Sequence, residues 1–419
     1  MREAARYHEA VREYLLVALS LGELAEGFVD CWYGDPRLSR RAAAEGPVNP
    51  ADLAARADRL RSRLPDTDLS LLRQGFLDAQ LAAMACTARR LAGEPVPFRD
   101  EVRTCFGVDP EPGDPDRYAD VHRAISRLLP GSGGLRRRIE EFYARNLVPP
   151  DRFGRAVRAV SDQLRARAVP LFGLPAGERV EYEIVHDKPW NAFNRYLGGF
   201  RSAVALDAEA GGTIAALPLI PAHESYPGHH TEHCRKEAVL VDQFGWDEHR
   251  VAVVNTPQCL VAEGTAELGV RVLLGTGWGE WTAELLAAER ITIDGALVEA
   301  VTDLVRQLLP VRQDAAVLLH DRGADPDDVT GYLERWLLLP ADRAARLARF
   351  AADPLWRAYS VTYPEGSRLV AAWLAARPPE VSPAERFRIL LDEAVLPSRL
   401  AAEAAAAGCS PVSPSTVRR

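Results

Sequence analysis

Apolar residues recur every three to four positions over most of this chain. That spacing predicts helices over 3–27, 51–64, 68–94, 117–129 and 133–147. A further amphipathic run, 151–169, opens on Asp151 as an N-cap. Clusters rich in Pro, Gly and Asp, such as 45–50 and 108–116, punctuate these segments. The period changes once. Residues 180–186 (VEYEIVH) alternate polar and apolar, and 200–207 (FRSAVALD) form a second short extended stretch. The two predict a small antiparallel sheet. Helical spacing then resumes near 214 and runs to about 406.

The predicted fold is therefore mainly α, with one small sheet. We expect an N-terminal helical lobe over 1–175 and a second lobe over 176–405 that carries the sheet and the C-terminal helices. Residues 406–419 are expected to be a disordered tail.

Composition narrows the class. The 419 residues are 47% hydrophobic and 26% charged, ordinary values for a folded protein. Acidic residues outnumber basic ones, 59 to 51, which argues against a nucleic-acid partner. The basic residues are Arg except for Lys188 and Lys236. No apolar run approaches the length of a membrane span, so no membrane partner is expected. The N-terminal segment lacks the pattern of a signal peptide. Six scattered Cys without a CxxC pair suit reduced thiols, and together these features predict a cytoplasmic protein. There is no Walker A loop, no GxGxxG after a strand and no GxSxG elbow.

The candidate chemistry lies in one stretch, LPLIPAHESYPGHHTEHCRKEAVL (217–240). Four His fall within it beside Glu224. A catalytic zinc commonly takes two His and a carboxylate and leaves a position open to water. In HExxH the two His sit one helical turn apart and the Glu serves as base. Here the order is His223-Glu224-Ser225-Tyr226-Pro227-Gly228-His229-His230. On an unbroken helix residues 223 and 230 stand about 10 Å apart along the axis, too far for one metal ion. Pro227 and Gly228 allow the chain to loop out. A two-residue loop makes His229 the second ligand; a three-residue loop makes it His230. A rival pattern overlaps: His229, Glu232 and His233 fit HxxEH. A later helix, 259–274, offers Glu263 as third ligand, with Glu267 one turn on as a supporting carboxylate.

HESYPGHH followed by AEGTAE (262–267) resembles the HE-x-x-P-G-H-H and E-G-W-A motifs of a bacterial domain-of-unknown-function family, number 885. That family is grouped with zincin-like (peptidase MA-type) metallopeptidases, near the helical Taq-type carboxypeptidases. The resemblance implies a zincin-like, two-lobed helical fold with the sheet beside the metal-site helix and a deep groove between lobes. It implies His223, His229 and Glu263 as metal ligands and Glu224 as catalytic base. A Y-x-x-G element matches Tyr363 to Gly366, which implies a Tyr363 hydroxyl at the oxyanion, with Tyr359 as an alternative. It places an extended substrate along a sheet edge near FRSAVALD.

The resulting expectation is a zinc-dependent metallohydrolase with one zinc ion per chain, acting on small peptides. Two alternatives stand beside it: hydrolysis of a non-peptide ester or amide, and a non-catalytic helical binding protein. An Arg that holds a substrate carboxylate would indicate carboxypeptidase action, but the sequence singles out none of its Arg residues.

Overall fold

The computed structural model describes residues 8–44, 48–186, 191–208 and 212–408. The expected tail and the first residues of the first helix lie largely outside these ranges. The fold is mainly α with small sheets. The predicted helices are present as Glu9–Leu24, Pro50–Arg63, Leu71–Leu91, Pro115–Leu128, Leu135–Arg145 and Pro150–Phe172.

A recurring device starts these helices. A polar cap residue precedes a Pro at the first helical position: Asn49-Pro50, Asp114-Pro115, Thr256-Pro257, Asp325-Pro326 and Ser382-Pro383. The cap side chain accepts a backbone N–H, and Pro gives up none that the helix needs there. This explains why Pro clusters mark helix starts in the sequence. Asp151 is not a cap: Pro149 holds that position, and Asp151 lies in the first turn, where its charge still suits the helix dipole.

Five strands are present: β1 (Val29–Trp32), β2 (Arg179–Val185), β3 (Ala192–Tyr196), β4 (Arg201–Asp207) and β5 (Val251–Val253). β1 and β5 form an antiparallel pair, and the other three form a sheet of order β2-β4-β3. β3 and β4 are antiparallel, but β2 joins β4 in parallel. The two stretches recognised in the sequence are thus neighbours running the same way. The reason is β3, a third strand within their connection, which reverses the chain once more. FRSAVALD is consequently the central strand, not an edge; β2 and β3 are the edges.

The core is built from clusters that draw on distant segments. Leu53, Leu60, Phe76, Leu77 and Met84 of the N-terminal helices pack with Tyr14, Leu15 and Phe28, and also with Leu240, Val251 and Val253. A second cluster joins Phe98, Phe106 and Leu164 to Leu260, Val270, Trp373 and Phe387. Trp278 of the GTGWGEW patch is wholly buried in a third.

Candidate metal centre

The motif begins on the helix Ala216–Glu224. It stops at Ser225, and a new helix runs from His229 to Lys236. The hydrogen bonds across the gap show what was inserted. Gly228 N–H donates to Ala222 C=O (2.8 Å) and Thr231 N–H to Ser225 C=O (3.1 Å), each a separation of six rather than the helical four. The ordinary ladder returns with Glu232 N–H to Gly228 C=O (3.0 Å). Two extra residues have been accommodated, so His229 stands where a continuous helix would place the residue four after His223. Gly228 makes this possible by its lack of a side chain. A Cβ there would lie 1.8 Å from the His223 carbonyl oxygen.

A second helix, Pro257–Leu274, supplies the carboxylates Glu263 and Glu267, one turn apart on one face. It crosses a third helix, Thr362–Ala375, at Gly264 and Gly366, which brings Tyr363 to the same place.

The result is a compact cluster. Nε2 of His223 and Nε2 of His229 are 3.1 Å apart. His223 Nε2 lies 3.4 Å from Glu263 Oε2, and His229 Nε2 lies 3.5 Å from Glu263 Oε1. Among the described residues this is the set of His, Cys and acidic side chains placed to hold a metal ion. Zinc holds N and O ligands at about 2.0–2.1 Å in a tetrahedron, which separates neighbouring ligand atoms by about 3.3–3.4 Å. The observed separations match. Glu263 Oε2 is buried and has no hydrogen-bond partner, as a lone pair directed at a cation would be. The residues present fit zinc.

Charge reinforces this arrangement. Burial works against ionised Glu263, but His223 and His229 outweigh it and hold its carboxyl well below the usual range. Burial likewise disfavours the charged form of His223, and Glu263 and Glu267 overcome it and raise its pKa. Glu267 approaches His223 Nδ1 at 3.5 Å. Arg306 grips Glu267 by both its carboxylate (2.6 Å) and its backbone carbonyl (2.7 Å). A carboxylate behind a ligating imidazole fixes the ring and its tautomer.

Around the cluster, Glu224 is the last residue of its helix and is buried. Burial raises its pKa against the pull of His223 and His229. Asn194 of β3 donates to the Glu224 backbone carbonyl (2.5 Å), which sets this sheet edge against the motif. Tyr359 donates to Glu263 Oε1 (2.7 Å) and is therefore committed to that carboxylate. Tyr363 packs edge-on to Tyr359, with ring centroids 5.8 Å apart.

The other motif residues lie elsewhere. His230 turns away into a sealed network: its ring meets Ser202 Oγ (2.8 Å) and Glu178 (2.9 Å), and Glu178 also accepts from Tyr226 and Arg165. His233 stacks on Tyr196, with centroids 4.7 Å apart. Glu232 pairs with Lys236. The HxxEH residues are thus engaged separately.

One neighbour has no motif to announce it. Asp30 is the extra residue of a bulge in β1, where Val29 and Cys31 oppose successive residues of β5. Bulges re-aim side chains. Burial pushes the Asp30 carboxyl up to about 7, with His229 opposing the rise and Glu263 and Glu224 adding to it. The sequence holds no spacing signal for Asp30, nor for Arg306.

No protein-family profile matches the chain, and no curated protein matches it. Two similar solved structures are both putative lipoproteins. The one from Colwellia psychrerythraea is 12% identical, with a TM-score of 0.54 over 89% of this chain and 69% of that one. The one from Shewanella oneidensis, of unknown function, is 12% identical, with a TM-score of 0.47 over 85% and 76%. At such identity the first likeness speaks for the fold. No helix among the described residues is long and apolar enough to cross a membrane. Lipoproteins as a class are exported and held at a membrane, and the expectation of a cytoplasmic protein is withdrawn on the likeness to the Colwellia structure.

Proposed function

We propose that the protein is a metal-dependent hydrolase of short peptides, with one zinc ion held by His223, His229 and Glu263. The observation that carries this reading is the triangle of ligand atoms with separations of 3.1, 3.4 and 3.5 Å. The motif pair behind it supports kinship with the zincin-like family 885.

Zinc, when bound, supplies Lewis acidity toward a carbonyl oxygen and makes water more acidic. The chain's own residues then divide the work. Glu224 takes the proton of the attacking water and returns it to the leaving amine. Its raised pKa suits a group that must both accept and release a proton. Tyr363 donates its hydroxyl to the oxygen that gains charge. Burial and the charge of Glu263 keep that hydroxyl protonated, and hence a donor, at any ordinary pH. Glu267 and Arg306 hold the His223 ring. The β3 edge beside Glu224 supports a peptide substrate, because an extended chain can add to such an edge through its backbone.

The test is hydrolysis of a short-peptide library by the zinc-loaded protein and by Glu224→Gln. We expect turnover that falls about 100- to 10,000-fold in the variant while zinc stays bound. Zinc-loaded protein that cleaves no peptide would overturn the peptidase reading. Failure to bind zinc would overturn the metal centre as well.

A further inference from the structure

Glu263 faces the two imidazoles with both of its carboxylate oxygens. Oε2 lies 3.4 Å from His223 Nε2, and Oε1 lies 3.5 Å from His229 Nε2. Distance alone would thus let this side chain hold an ion by one oxygen or by both. Hydrogen bonding tells the two apart. Oε1 accepts from the Tyr359 hydroxyl at 2.7 Å. Oε2 is buried and accepts from nothing among the described residues. An ionised carboxylate can only accept, so the phenol is the donor.

That donor is held in place. Tyr359 opens the short 3-10 turn Tyr359–Val361, which leads into the helix Thr362–Ala375. Thr362 Oγ1 donates to the Tyr359 carbonyl (2.7 Å), and the Tyr359 N–H donates to the Trp356 carbonyl (3.0 Å). Phe350, Trp356 and Tyr363 meet the Tyr359 ring edge-on, with centroids 6.3, 5.3 and 5.8 Å away. Backbone and ring together fix the direction of the hydroxyl.

A carboxylate oxygen that accepts a charge-assisted hydrogen bond has less charge to offer a cation, so the other oxygen becomes the stronger ligand. A catalytic zinc site takes three protein ligands and leaves one position for water. A second oxygen from Glu263 would compete with water for that position.

We propose that Tyr359 is a positioning residue: by holding Oε1 it restricts Glu263 to metal binding through Oε2, and so keeps a position open to water. This rests on the metal centre of the reading above and not on the choice of substrate. It gives the Tyr359 hydroxyl a role apart from the oxyanion.

The experiment is a pair of crystal structures of the full chain loaded with zinc, wild type and Tyr359→Phe. The variant keeps the ring and its packing and loses only the hydroxyl. In the wild type Oε2 should lie about 2.0–2.2 Å from the ion and Oε1 beyond about 2.8 Å. In Tyr359→Phe both oxygens should lie within about 2.5 Å of the ion. Elemental analysis should find about one zinc per chain in each. A variant whose Oε1 stays away from the ion would leave Tyr359 a packing role only and overturn the proposal. So would a wild type that holds the ion by both oxygens. A wild type that takes up no zinc overturns the metal centre and the proposal with it. The expected distances in both proteins, without cleavage of any peptide, uphold the role of Tyr359 and overturn the peptidase reading alone.

Discussion

Gly264 and Gly366 meet backbone against backbone. A Cβ on Gly264 would lie 2.3 Å from the Gly366 carbonyl oxygen, and a Cβ on Gly366 would lie 2.5 Å from that of Leu260. The contact is why a Gly follows Glu263 and another lies three residues after Tyr363. Each lets its helix deliver a neighbouring side chain to the same cluster.

Gly264→Ala should therefore destabilise the protein by about 1–3 kcal/mol, the usual cost of forcing atoms into a filled space. Gly331→Ala is the control. That residue is exposed within a helix and a Cβ there meets nothing within 4 Å, so the change should be neutral or stabilising by up to about 1 kcal/mol. Urea denaturation of both variants checks this. Equal stability for the two would mean that the helix crossing tolerates separation.

Metal content should separate the His residues. Protein purified without added metal should hold about one zinc per chain. His223→Ala and His229→Ala should lose it, while His233→Ala should keep it, because His233 is stacked on Tyr196 outside the cluster. Elemental mass spectrometry gives the answer directly. Loss in His229→Ala and His233→Ala, with zinc kept in His223→Ala, would transfer the site to the HxxEH residues.

Arg306→Ala should weaken zinc binding about 10- to 100-fold without removing a ligand, the usual effect of freeing the group that orients a metal-bound imidazole. Competition with a zinc-binding dye measures it. An unchanged dissociation constant would show that Glu267 needs no support from Arg306.

Acid should destabilise the fold through His249. This ring is buried against Phe76, and neither of its nitrogens has a hydrogen-bond partner. Burial, with Lys236 and Arg73 near, holds its pKa well below the ordinary value of 6.5. Below pH 6.5 the unfolded chain takes up a proton that the folded one refuses. The stability contributed by the neutral ring is thus complete above pH 6.5 and is lost as the pH falls toward the folded pKa, by up to about 1.4 kcal/mol per unit. His249→Phe should flatten this slope between pH 6.5 and 5 in denaturation curves. A slope equal to that of the wild type would assign the acid sensitivity elsewhere.

Much of this was legible in the sequence where a pattern was long or chemically dense. Helices such as 51–64 and 117–129 were legible because their apolar spacing persists for three or more turns. His223, His229 and Glu263 were legible as candidates because Pro227 and Gly228 gave a physical reason for the broken spacing. β1 and β5 were not, since four and three residues are too few to establish an alternation. The parallel pairing of β2 with β4 was hidden by β3, whose residues read as a connection. Arg306 and Asp30 reach the cluster through tertiary packing and through a bulge, neither of which leaves a trace in local spacing.

The six-residue hydrogen bonds around Gly228 bear on how related proteins are found. Equivalence between two metal-site helices is set by the rung of the ladder a residue occupies, not by its distance along the chain. A pattern written with fixed gaps would pass over His229, while one that counts rungs would align it with the second His of an uninterrupted motif. Two extra residues can thus be absorbed in such a helix without moving the side chains that follow from their rungs, provided that a residue without a side chain stands at the point of closest approach.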